Sequence, residues 1–195
     1  MAGKRQKRRK QQQRNKTLSL VFIGAGLLLL GAVALALLPK PGNTAESSEV
    51  NSAIPVEVNY PAPELSLNDL DGNPVTLEDY LGTVVLVNNW ATWCPPCKAE
   101  MPTLQAYFED HTDKGFTIIA IESGDPVAEV KEFVKDYGLT FPVWADANMA
   151  SIAAFRNPGL PSSYVIDRDG TVRLAWAGAV SRKMLDKYVT PLLEE

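Results

Sequence analysis

Two cysteines and one histidine stand in a chain of 195 residues. So few soft ligands exclude a zinc or iron–sulfur site built on thiolates and imidazoles. A single cysteine pair also cannot form a multi-bridge disulfide scaffold. No internal repeat is evident, and a mix of 46% hydrophobic and 22% charged residues excludes whole-chain disorder and collagen-like sequence. Acids are absent from residues 1–16, which hold eight of the 19 lysines and arginines; the other 11 share residues 17–195 with all 23 acids. The length suits one folded domain and something added to it.

A basic cluster binds phosphate without sequence preference, but the apolar run next to this one argues against nucleic acid as a partner. Residues 17–38 (TLSLVFIGAGLLLLGAVALALL) form a run of 22 residues without a charge. At about 1.5 Å rise per residue they span roughly 33 Å as a helix, enough for a bilayer core about 30 Å thick. Lys and Arg mark the cytoplasmic flank of such a helix. Residues 1–16 are therefore expected to be cytoplasmic and the remainder extracytoplasmic, in a single-pass cell-membrane protein. A cleaved signal peptide is the alternative. Its apolar core is usually about 7–15 residues, and the best downstream small-residue site, Asn43-Thr44-Ala45, opens on a poor residue. The length favours an uncleaved signal-anchor. Residues 39–60, rich in Pro, Ser, Asn and Glu, have linker composition, and residues 61–195 are left for the folded domain.

From residue 61 the pattern alternates strand and helix. Residues 65–70 and 74–77 flank Asp71-Gly72-Asn73 as a short hairpin. Residues 83–89 (TVVLVNN) and 116–121 (FTIIAI) are continuous apolar runs suited to strands buried on both faces. A helix is expected from the Cys-Pro-Pro-Cys segment to about residue 110, kinked by Pro102. A second is expected over residues 126–137, where apolar residues recur at helical spacing and Gly138 follows. Residues 143–145 suit a short strand and 149–155 a short helix. Residues 163–166 and 172–177 form another hairpin around Asp167-Arg168-Asp169-Gly170. Residues 181–193 close the chain as one helix capped by Ser181. Such an order predicts an α/β fold with a central mixed sheet covered on both faces.

Both cysteines lie in Trp93-Cys94-Pro95-Pro96-Cys97. Residues i and i+3 at a helix start are close enough for a disulfide. The attacking species in thiol chemistry is the thiolate, and helix N-termini stabilise it, lowering a thiol pKa from about 8.5 to about 3.5–7.5. Cys94 falls at the N-cap, with its sulfur the more exposed; Cys97, one turn in, suits a resolving role. Pro95 and Pro96 bring no N–H, so Cys97 and Lys98 are the first backbone donors available to the Cys94 sulfur. As a passive staple the pair would be a poor choice, because a bridge closing so short a loop constrains the unfolded chain little.

Together with Glu100-Met101-Pro102, the segment Gly159-Leu160-Pro161-Ser162-Ser163-Tyr164-Val165-Ile166-Asp167 and Asp169-Gly170, these residues closely resemble the thioredoxin superfamily. The resemblance is to its membrane-anchored TlpA/ResA/CcmG-like thiol–disulfide oxidoreductases, which carry a redoxin (AhpC/TSA-like) domain, and it covers residues 61–195. It implies a thioredoxin-like fold with an extra N-terminal hairpin, and no cofactor beyond a redox-active disulfide. It also implies Cys94 as nucleophile, Cys97 as resolving cysteine, and Pro161 as a cis-proline facing the dithiol. Leu160 offers backbone groups to an extended substrate, Pro95 and Pro96 line the same site, Trp93 forms a surface lip, and Trp90 packs in the core. The buried acid that precedes the active site of cytosolic thioredoxins is replaced by Asn88, so the proton acceptor for Cys97 is open. Glu122 and Asp125, after the strand at 116–121, are candidates, each weighed against a solvated loop carboxylate. His111 is expected to face solvent at a helix end.

The function expected is disulfide exchange with exported proteins. The resemblance implies a membrane thiol transporter of the CcdA/DsbD kind as electron donor, and apocytochrome c during cytochrome c maturation as one substrate. Two rivals stand beside it. A peroxiredoxin-like thiol peroxidase resembles a Thr-x-x-Cys context with a partner Arg, whereas Thr92 lies two residues before Cys94 and no Arg is near in sequence. A non-catalytic, membrane-tethered binding module would grip chains through the Pro161 groove without needing either sulfur.

Overall fold

A computed structural model describes residues 52–194. The expected cytoplasmic segment, the anchor and most of the expected linker lie outside the described residues. Among the described residues no helix is long and apolar enough to cross a membrane.

The strands are β1 (Val56–Pro61), β2 (Ser66–Asp69), β3 (Pro74–Thr76), β4 (Val84–Trp90), β5 (Phe116–Ser123), β6 (Val143–Asp146), β7 (Ser162–Ile166) and β8 (Thr171–Ala177). The α-helices are α1 (Pro95–His111), α2 (Val127–Tyr137), α3 (Ala150–Phe155), α4 (Arg182–Tyr188) and α5 (Thr190–Leu193). The strands form one eight-stranded sheet in the order β1-β8-β7-β4-β5-β6-β2-β3. The β4–β5 and β5–β6 pairs are parallel, and the other neighbours are antiparallel. The mixed sheet expected from the alternation is therefore present, with the 66–76 hairpin attached to it through β6.

Every residue of β4 is buried. Its side chains alternate between two cores, which is what a central strand covered on both faces requires. Val84, Leu86 and Trp90 join Met101, Leu104 and Tyr107 of α1 and Phe133 of α2 on one face. Val85 and Val87 join Ile119, Ile121, Trp144, Phe155 of α3 and Tyr164 on the other. Each large side chain so buried contributes about 1.5–3 kcal/mol relative to exposure. A polar residue on β4 is correspondingly costly unless it is bonded, which draws attention to Asn88 and Asn89, both fully buried.

Several expectations are corrected. Residues 56–61, five of them read as linker, form β1, which pairs with β8 through Val56–Ala175 and Tyr60–Val172. The folded region thus begins before residue 61. The closing helix is two helices, because Pro191 lacks an N–H and its ring excludes the carbonyl four residues back, so it can sit only in the first turn of a new one. Ser181 stands at the N-cap of α4 with its backbone alone; its hydroxyl makes no capping bond. His111 is buried, with Nδ1–H donating to the Tyr107 carbonyl at 2.8 Å and its ring stacked 4.2 Å from that of Tyr107. The apolar wall made by Tyr107 and Phe116 draws it inward. Helix α1 continues through Pro102, the position of the expected kink.

Candidate active site

Strand β4 delivers the chain to a tight turn in which Cys94 N–H donates to the Ala91 carbonyl at 3.2 Å. Cys94 then serves as N-cap of α1 in extended conformation (φ −86°, ψ 108°), with prolines in the first two helical positions. Prolines are tolerated there because those N–H groups have no partner inside the helix. The first free donor, Cys97 N–H, points at Cys94 Sγ at 3.3 Å, and Lys98 N–H bonds the Cys94 carbonyl at 3.1 Å. Cys94 and Cys97 are joined as a disulfide with Cα atoms 5.3 Å apart. Cys94 keeps 3% of its surface exposed and Cys97 none. Pro95 and Pro96 are exposed in front of the bridge. Trp93 is 64% exposed, whereas Trp90 is fully buried with its ring 4.7 Å from that of Phe133.

The Leu160–Pro161 peptide is cis. Pro161 immediately precedes β7, whose Ser162 pairs with Asn89 of β4, so sheet register brings it to the strand end from which the dithiol turn departs. Its carbonyl accepts from Gly178 N–H at 2.8 Å. Pro161 is buried and Leu160 half-buried.

Beneath the dithiol lies a polar group to which the sequence motifs alone assign no role. Glu100, one turn beyond Cys97, is buried and accepts from Asn88 Nδ2 at 2.9 Å and from Val180 N–H at 3.0 Å. Asn88 Nδ2 also donates to Ser163 Oγ at 3.0 Å. Burial pushes the Glu100 carboxyl up to about 7, and the bonds from Asn88 and Val180 oppose that rise only in part. A signal for it exists in the spacing: residues three apart on a helix share a face, so an acid three after a buried Cys97 points into the core.

Glu122 is buried at the end of β5, opposite Trp90 in the parallel register. A solvated loop carboxylate is therefore the wrong description of Glu122. Burial first, and then the hydrogen-bonded charge of Asp125, raise its carboxyl to about 8, with the Asp125 N–H opposing in part. Asp125 is half-buried. Burial opposes its charge, but hydrogen bonds from Thr92 and Glu122 outweigh that and hold it below the usual carboxylate range. Asp125 Oδ2 accepts from Thr92 N–H at 3.0 Å and from Thr92 Oγ1 at 2.6 Å. Among the described residues no group of three His, Cys, Asp or Glu side chains is placed to hold a metal ion. The redox group is the disulfide itself.

A Cys-x-x-Cys disulfide at a helix N-terminus, at the end of the central strand of a mixed sheet and beside a cis-proline, defines a thioredoxin-fold thiol–disulfide oxidoreductase. The AhpC/TSA family profile matches residues 58–175, and the chain belongs to that family. Thiol-disulfide oxidoreductase ResA of Geobacillus kaustophilus is 31% identical over 163 residues, covering 84% of this chain and 94% of that protein. The ResA protein of Bacillus thuringiensis is 36% identical over 134 residues, 69% of this chain and 78% of its own. Among solved structures, a thioredoxin-family thiol:disulfide interchange protein of Chlorobium tepidum superposes with a TM-score of 0.63 at 32% identity. The match covers 71% of this chain and 99% of that one. The chain is an enzyme of thiol–disulfide exchange.

Proposed function

We propose that Cys94 is the attacking sulfur and Cys97 the resolving one. The observation that carries this is their asymmetry. Cys94 caps the helix, receives the Cys97 N–H and has 3% of its surface exposed, against none for Cys97 one turn further in. The Cys94 thiolate attacks one sulfur of a substrate disulfide, that S–S bond breaks, and the departing substrate sulfur takes up a proton. Cys97 then gives up its proton and attacks Cys94 Sγ. The second substrate sulfur leaves with the electron pair and is protonated, and the enzyme is left as the Cys94–Cys97 disulfide. Glu100 suits the proton from Cys97, because it is buried on the same helix face with a carboxyl raised to about 7. Glu122 and Asp125 lie at the β5 end, their hydrogen bonds directed to each other and to Thr92.

The exposed Trp93, Pro95 and Pro96 and the Leu160–Pro161 edge would hold an extended polypeptide across the dithiol. Residues 17–38 would anchor the chain, with residues 1–16 cytoplasmic and the folded domain extracytoplasmic. The uncharged run beside a basic flank supports this. Disulfides persist in that compartment, so sustained reduction needs electrons carried across the membrane by a thiol transporter of the CcdA/DsbD kind. Exported proteins, apocytochrome c among them, would be the substrates.

The test is capture in the full-length Cys97→Ser protein, whose mixed disulfide cannot resolve. Accumulation of Cys94-linked exported proteins, abolished by Cys94→Ser, is the expected result. Linkage through a serine-insensitive route, or none at all, contradicts it.

A further inference from the structure

The two acids beside β5 use their bonds in a particular way. Gly124 adopts φ 100°, a region side chains rarely enter, and this turn brings the Asp125 N–H back onto both carboxyl oxygens of Glu122, each at 3.2 Å. The Met149 methyl also lies against Gly124, 3.2 Å from where a Cβ would stand, so the turn is packed as well as bonded. Asp125 is thereby aimed across to the neighbouring loop, where one oxygen takes both donors of Thr92. Thr92 sits in the turn that the Cys94 N–H to Ala91 carbonyl bond closes. A continuous chain therefore runs from a buried carboxyl at the end of β5 to the residues that set the direction of the Cys94 sulfur. The charged groups acting on Glu122 are Asp125 and, from the end of β6, Asp146. The Asp146 carboxylate is engaged by Ala150 N–H and by Ser151 through its N–H and hydroxyl.

We infer that Asp125 is a positioning residue for the dithiol turn, acting through Thr92, and that Glu122 is the buried post that fixes Asp125. The inference rests on Cys94 being the attacking sulfur, and it assigns these acids a role other than taking the Cys97 proton. Reaction between two sulfurs needs an aligned approach, and small displacements of a reacting group cost large factors in rate. Two donors converging on one carboxylate oxygen hold the turn from a separate loop, which a bond within the turn cannot do.

The experiment compares Asp125→Asn with Asp125→Ala in the reduced full-length protein. Both remove the charge; only Asn keeps an acceptor for Thr92. Two readouts are taken on folded protein: the second-order rate with 5,5′-dithiobis(2-nitrobenzoate), and the pH midpoint of Cys94 alkylation. Asp125→Asn should stay within about twofold of the parent, while Asp125→Ala should slow by about tenfold and shift the alkylation midpoint away from that of the Asn variant. Adding Thr92→Val to Asp125→Ala should cost nothing further, because both act on one interaction. If Asp125→Ala does not fold, Thr92→Val alone, which removes one of the two donors, should slow the reaction by about threefold at unchanged Asp125. Equal behaviour of the Asn and Ala variants, additive losses, or a Thr92→Val protein as fast as the parent overturns the positioning role. A folded, reduced parent protein that is inert to the reagent overturns the exchange chemistry beneath it.

Discussion

Asn88 on β4 and Glu100 on α1 are joined by a 2.9 Å hydrogen bond in the core directly under the dithiol helix. The bond fixes a carboxyl where water does not reach it. Asn88 offers an amide in place of a charge, so Glu100 remains the ionisable group of that pair. Its second oxygen is held by the Val180 N–H from the far end of the chain. The dithiol helix, the central strand and the segment leading into α4 therefore meet at one titratable side chain.

Stability should respond to that group with a defined sign. The native carboxyl, raised to about 7 against an ordinary 4.5, binds its proton more tightly than the unfolded chain does. Its contribution is complete below about pH 4.5 and disappears as pH rises through about 7, amounting to about 3 kcal/mol. Urea midpoints of the oxidised protein should fall between pH 5 and pH 8. Glu100→Gln should fall less, with an offset common to both pH values because its amide nitrogen faces a donor. Glu122, raised to about 8, leaves a residual slope in that variant. An unchanged slope contradicts the assignment.

The two tryptophans before Cys94 should separate function from folding. Trp93→Ala removes an exposed ring and should change stability by less than about 0.5 kcal/mol. It should raise KM several-fold for insulin disulfides and leave the rate with a small aromatic disulfide unchanged. Trp90→Ala empties a fully buried site against Phe133 and should cost about 3–5 kcal/mol. Thermal unfolding and steady-state kinetics on the two variants check both statements.

Strand β1 should matter although its composition reads as linker. A chain starting at residue 62 leaves the β8 edge unpaired, losing the Val56–Ala175, Glu57–Leu174, Tyr60–Val172 and Pro61–Thr171 pairs. It should be about 2 kcal/mol less stable than one starting at residue 52, and more prone to edge-to-edge association. Denaturant unfolding and sedimentation measure the two effects.

The elements legible in the sequence are those with strong periodicity or punctuation. The uninterrupted apolar stretches of β4 and β5, the Asp-Gly turn before β3, and Gly138 after α2 each carry their own local signal. The N-cap place of Cys94 is legible because two prolines follow it, and proline fits only the first helical turn. Residues decided by tertiary neighbours are not legible. Val56–Pro61 is strand because β8 offers an edge, not through alternation of its own. Glu122 is buried because β4 and β6 enclose the end of β5, and His111 because Tyr107 and Phe116 receive its ring. Glu100 stands between these cases. Its helical spacing from Cys97 gives the direction of the side chain, but only the Asn88 amide and the Val180 N–H make that buried place tolerable.

Helix-terminal placement makes the two sulfurs chemically unequal, and on that inequality the exchange chemistry depends. The direct measurement is competitive alkylation of the reduced full-length protein with limiting iodoacetamide, followed by mass mapping of the Cys94–Cys97 peptide. Label on Cys94 in at least about tenfold excess over Cys97 is the predicted outcome. Equal labelling, or a preference for Cys97, contradicts it.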